Sequence, residues 1–212
     1  MEAIKTCRLR RIVAIMMALT IFLVACGSTP HIPTAQASTS PSPLATMTAS
    51  STVAPERLVV NGQYSDERFI DMMVPHHLMA VQMAQVGSQK GQHAELRKLA
   101  TTIISSQNQE IQALKDLKQR LSGTSTTPTM VNPVDMENTG MMMPDQLASQ
   151  SPFDRAFIDS MIPHHASALD LASVALMRSS NDDIKRIARS IIDAQSQEIE
   201  TMIQWRKQWY GD

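Results

Sequence analysis

The amino-acid sequence predicts an all-α protein, a four-helix bundle built from two copies of one helical hairpin. Three observations lead there. Residues 69–121 align without a gap on residues 157–209 at an offset of 88, with 17 of 53 positions identical. Within each copy the apolar residues recur at helical spacing, not in the alternation of strands. Aromatic residues make up only 4% and glycines number only 7 in 212 residues, too few for the turns and large β-formers of a sandwich or barrel.

The first helix of each copy is expected to begin near Ser65 and near Ser151. Ser151-Pro152-Phe153-Asp154 reads as a cap, a proline in the first turn and an acid at the third position. Phe69, Met73, Ala80 and Ala84 then form an apolar stripe. The second helix is expected from about Gln92 or Ser180, with Ser180-Asn181-Asp182-Asp183 as a capping box. Leu96, Leu99, Ala100, Ile103, Ile104, Ile111, Leu114 and Leu117 carry the 3.6-residue period, and Ser122-Gly123 is a plausible stop. A short loop makes the two helices of a copy antiparallel. Residues 122–150 join the copies as a polar connection with Pro128, Pro133 and Pro144. Two hairpins with one long connection describe a four-helix bundle of ferritin-like connectivity. Neither hairpin alone buries both faces, so residues 57–212 are expected to form one domain.

The N-terminus reads as an address. Lys5, Arg8, Arg10 and Arg11 precede an apolar run, Ile12 to Ala25, that is shorter than the ~20 residues of a spanning helix and suits a secretory signal. The run ends Leu23-Val24-Ala25-Cys26, which resembles the bacterial lipoprotein box. Residues 1–25 are therefore expected to be a lipoprotein signal peptide, and Cys26 to carry lipid and hold the chain to a membrane. The mature chain would keep no free thiol, which excludes disulfides, thiolate metal sites and a cysteine nucleophile. Residues 26–56 read as a disordered tether. From Gly27 to Pro55, 17 of 29 residues are Ser, Thr or Pro, and none is charged. With 19 Lys+Arg against 20 Asp+Glu, the charge is balanced, and no nucleic-acid footprint is present.

Chemistry must come from the polar residues that both copies keep on buried faces. With Met73 at zero on a helical wheel, His76 falls at about 300° and His77 at about 40°. Both histidines thus flank the apolar stripe, and Met73 lies within reach of either. Met161, His164 and His165 repeat the arrangement. Adjacent histidines diverge by about 100°, so one pair does not chelate one ion. Pro75 and Pro163 stand just before the pairs, inside the helix, and either shape a site or simply bend the helix. On the second helix Gln107 and Gln195 lie at the centre of the apolar stripe, with Glu110 and Glu198 one turn on. Buried Gln and Glu need partners. Imidazole N–H groups would supply them, and the Gln/Glu set would then hold each histidine tautomer for a metal. A polar layer that fixes helix register without metal is the alternative.

The chain has 16 methionines, 13 of them outside the signal segment. Met72, Met73, Met79 and Met83 surround the first histidine pair in sequence. Taken singly, Met72 or Met177 reads as a core gap-filler. Met141, Met142 and Met143 lie in a polar segment where that explanation fails, and they read as an auxiliary capture site together with Met72 and Met79. Thioethers with imidazole select Cu(I) over Zn(II) or Fe(II).

The blocks Phe69 to His77 and Phe157 to His165, each followed by Gln-x-Gln-Glu-Ile, resemble the domain-of-unknown-function-305 family. The resemblance covers roughly residues 65–210. It implies a secreted ferritin-like bundle that binds copper through Met and His, since the family includes a periplasmic copper-binding member. Its implied ligands are Met73, His76, His77 and Met83 in copy one, and Met161, His164, His165 and Met202 in copy two. Leu114 and Leu171 depart from the pattern, standing where Met202 and Met83 have their counterparts. Three functions follow as expectations. The first is a lipid-anchored copper-binding protein for buffering or tolerance. The second is a non-metal helical adaptor of the envelope. The third is a di-iron oxidase, which the absence of any Glu-x-x-His disfavours. No catalytic constellation is present in the sequence.

Overall fold

The computed structural model describes residues 57–130 and 142–211. Residues 1–56, where the signal peptide, the lipidated Cys26 and the tether are expected, and Met141 lie outside the described residues. Four long helices carry the structure: α1 (Asp66–Lys90), α2 (Ala94–Ser122), α4 (Phe153–Arg178) and α5 (Asp182–Tyr210), with a short α3 (Pro144–Ala148) before α4. α1 pairs with α2 and α4 with α5 as hairpins, and the hairpins meet chiefly through α1 and α4. The architecture is the all-α four-helix bundle that the duplication predicts.

Two helix starts differ from expectation. Ser65 caps α1, accepting from the Arg68 amide at 3.4 Å. In the second copy Asp154 does not serve its own helix. It is fully buried and accepts from the amides of Gln92 and His93, at 2.8 Å each, so that it holds the turn leading into α2 from across the bundle. α5 is capped by Asn181 rather than Ser180; Asn181 Oδ1 accepts from Asp183 N and Ile184 N. Gly123, at φ 74°, ends α2 in the left-handed conformation expected of a terminal glycine.

Two small elements escaped the sequence reading. Val59–Val60 and Gln63–Tyr64 form an antiparallel ribbon around Asn61-Gly62, whose φ values of 52° and 75° are those of a primed hairpin turn. Within the connection, Pro144 opens α3, the Gln146 side chain accepts from Met143 N, and Leu147 is fully buried.

The core falls into two clusters. One joins Phe69, Met73 and Val74 of α1 to Ile111, Leu114 and Leu117 of α2, Leu171 and Ala172 of α4, and Ile184 and Ile191 of α5. The other joins Met79, Met83 and Ala84 of α1 to Leu96 and Ile103 of α2, Phe157 and Met161 of α4, and Met202 of α5. Each helix of a hairpin gives its start to one cluster where its neighbour gives its end. The clusters are therefore opposite ends of the bundle. The duplication persists in the ion pairs: Asp71 binds Lys118, and at equivalent positions Asp159 binds Arg206 at 2.6 Å.

Candidate metal centre

Between the two apolar ends lies a layer of polar side chains. His76, His77, His164 and His165 are all buried, as are Gln107 and Gln195. α1 and α4 present the histidines because those helices form the contact between hairpins, and each pair follows one turn after a buried methionine. His76 and His164 occupy equivalent positions in the copies, and their rings meet with centroids 3.8 Å apart.

Hydrogen bonds fix which nitrogen carries the proton. Glu110 Oε2 lies 2.8 Å from His77 Nε2, and Glu198 Oε2 lies 2.7 Å from His165 Nε2. A carboxylate only accepts, so each Nε2 is the N–H. Ser167 donates its own hydrogen to the His164 carbonyl at 2.7 Å, and so accepts from His76 Nε2–H at 2.8 Å. The Nδ1 atoms of His76, His77 and His165, on the far side of each ring, are buried with no protein group paired to them. A carboxylate on the far ring nitrogen is how proteins orient an imidazole for a metal. Burial, reinforced by neighbouring imidazoles, holds His76 and His164 well below the usual histidine range, so both are neutral at pH 7.

The glutamines behave differently from expectation. Both side-chain atoms of Gln107 and of Gln195 are buried without a protein partner, and they bond no histidine. Unpaired buried amides are costly, and they leave the layer with a surplus of polar groups that a bound cation or its ligands would use.

Among the described residues no three His, Cys, Asp or Glu side chains come together to hold a metal. An ion bound here would need the thioethers. The structure divides these by end of the bundle, not by copy. Met73 lies in the first apolar cluster with Met72 packed against it, whereas Met79 and Met83 lie in the second with Met161 and Met202. Met72, Met73, Met79 and Met83 thus do not gather around one histidine pair. A 25-residue helix carries them past the polar layer, so Met72 and Met73 fall on one side of it and Met79 and Met83 on the other. Met142 and Met143 pack, half-buried, on the second cluster. Met177 is 74% exposed and fills no gap.

A residue the sequence reading passed over is His93. Its Nδ1 lies 2.7 Å from Asp154 Oδ2, and its ring stacks on Trp209 at 3.7 Å. Trp209 in turn stacks on Trp205. Asn181 stands at the equivalent of His93, so no repeat signal marked it.

Fold and centre define a duplicated four-helix bundle with a buried imidazole layer flanked by thioethers. The chain belongs to the family described as domain of unknown function (DUF305), whose profile matches residues 29–118 and 66–206. Among solved structures it is similar to CopM in its Cu(I)-bound form, with 37% identity and a TM-score of 0.60 over 70% of this chain and 99% of that one. CopM in its Cu(II)-bound form gives 38% identity and a TM-score of 0.65 over 70% and 99%. CopM has also been solved with silver bound. A DUF305 fragment from Deinococcus radiodurans matches at 25% identity and a TM-score of 0.58, over 66% of this chain and 93% of that one. No curated protein matches significantly.

Proposed function

We propose that this chain is a lipid-anchored, extracytoplasmic protein that binds copper, as Cu(I), through Met and His for copper buffering or tolerance. The observation that carries the reading is the set of buried imidazoles with assigned tautomers. His77 and His165 each direct Nε2–H to a glutamate and keep Nδ1 free, next to thioether-rich clusters. The copper and silver held by CopM support it. Thioethers bind without losing a proton, and burial keeps His76 and His164 neutral, so at those two rings a Cu(I) ion displaces no proton at pH 7. Soft donors favour Cu(I) and Ag(I) over Zn(II). The anchor rests on the Leu-Val-Ala-Cys26 box. No helix of the described residues is long and apolar enough to cross a membrane.

Metal analysis of protein purified from its native envelope tests the function. Copper bound in the membrane fraction is expected, with Cys26→Ala releasing the protein to the soluble fraction. Protein that stays metal-free, and that takes up no Cu(I) from a weak chelator, would leave the helical adaptor in its place.

A further inference from the structure

We propose that α3 is a lid over one end of the bundle, and that soft cations enter beneath it, past Met142 and Met143. The inference rests on the copper reading above for what passes, and it adds the way in. Each end of the bundle is plugged by one fully buried leucine from the segment ahead of a hairpin. Leu58 enters the apolar cluster that holds Met73, and Leu147 enters the cluster that holds Met79 and Met83.

The two plugs are held differently. Leu58 stands next to Val59, which pairs with Tyr64 in the ribbon, and Tyr64 runs directly into the cap of α1 at Ser65. Withdrawing Leu58 therefore breaks ordered backbone. The connection is also pinned at that end, where Lys118 Nζ donates to the Thr126 carbonyl at 2.7 Å. Leu147 has no such backing. Among the described residues, every hydrogen bond of residues 143–150 closes within that segment. Met143 N donates to the Gln146 side chain at 3.1 Å and Leu147 N to the Met143 carbonyl at 2.9 Å, while Ser149 and Gln150 donate to the carbonyls of Gln146 and Leu147. α3 is thus self-capped and rests on α1 and α4 by apolar contact, with Leu147 as its one buried anchor. Lifting it breaks no hydrogen bond and opposes only a non-directional force. Met142 and Met143, half-buried against the same cluster, place two thioethers at its rim. A soft cation passing them exchanges water for sulfur before it meets the interior.

Dilute hydrogen peroxide tests the movement on the full mature chain without metal. Each exposed thioether takes one oxygen and leaves water, and peptide mapping locates the sulfoxide. Met73 and Met83 are both fully buried, so a static bundle protects them alike. Met83 is expected to oxidise about tenfold faster or more, because local opening reaches it without global unfolding. Leu147→Ala should speed Met83 a further 10–100-fold or so, the worth of one buried leucine, with Met73 unchanged. Equal rates for Met73 and Met83 in the native chain would overturn the lid; that comparison needs no variant and decides the matter if Leu147→Ala unfolds the chain. Silver uptake, followed through Trp205 and Trp209, which pack on the same cluster, tests the route. Leu147→Ala should speed uptake, and Met142→Leu with Met143→Leu should slow it; uptake indifferent to both would overturn the entry path while leaving the copper reading standing. A chain that takes up no silver or Cu(I) removes the copper reading, and the oxidation result still decides whether α3 opens.

Discussion

His76 and His164, 88 residues apart in sequence, lie ring against ring with centroids 3.8 Å apart at the junction of the two hairpins. Equivalent residues of two copies meet in this way where the copies pack about an approximate two-fold axis. Neither ring is able to take a proton without placing charge beside its twin.

That proximity has a consequence for pH. Both imidazoles titrate well below 6.5 when folded and near 6.5 when unfolded, because burial and mutual repulsion oppose their charge. Below pH 6.5 the unfolded chain binds the additional protons, so stability is full above that pH and falls as the pH drops toward the folded-state values. The slope reaches about 1.4 kcal/mol per pH unit for each imidazole excluded from protonation. Urea unfolding of the metal-free chain between pH 7.5 and 5 measures it. A His76→Gln, His164→Gln double variant should show a flatter profile.

The glutamates should matter to metal as well as to fold. Glu198→Gln weakens the grip on His165 and frees its tautomer, with an expected loss of about 10–100-fold in Cu(I) affinity. Stability should fall by about 1–3 kcal/mol, the range for a charge-assisted buried bond. Competition against a Cu(I) chelator, with thermal melts alongside, separates the two effects.

Gly87 is set by a neighbour rather than by a turn. A Cβ there would lie 2.5 Å from Phe157 Cε2, and that ring is fully buried. Gly87→Ala should destabilise by about 1–3 kcal/mol, as overpacked cores do, despite alanine's better helix propensity. Denaturant midpoints at unchanged m-value would show it.

Asp154 holds the start of α2 from the other hairpin. Asp154→Ala removes the acceptor of two amides and of the His93 ring, and should cost about 2 kcal/mol or more. Hydrogen exchange should speed up at Gln92 and His93, and Trp209 fluorescence should change as its stacked partner loosens. Protection left intact at those amides would contradict the assignment.

Residues 57–123 alone should not fold as a cooperative monomer, because the buried face of α1 is covered by α4. Calorimetry and sedimentation of that fragment check this.

Much of the fold was legible in the sequence, for a physical reason. Helix periodicity and terminal glycine are local, and an internal copy shows which positions a structure keeps. The four helices, the buried histidine pairs and the pairing of Glu110 and Glu198 with histidine all follow from those signals. The caps were less legible, since Asp154 serves a helix 60 residues away and no local pattern records that. The thioether arrangement was not legible at all. Comparing copies by offset sorts methionines into copy one and copy two. Antiparallel packing sets the start of each helix against the end of its neighbour, so Met83 shares a core with Met161 and Met202 and is parted from Met73. The sequence by itself determined which side chains face inward, because that depends on the helical period. Tertiary structure alone decided which of them meet, because that depends on how the hairpins cross.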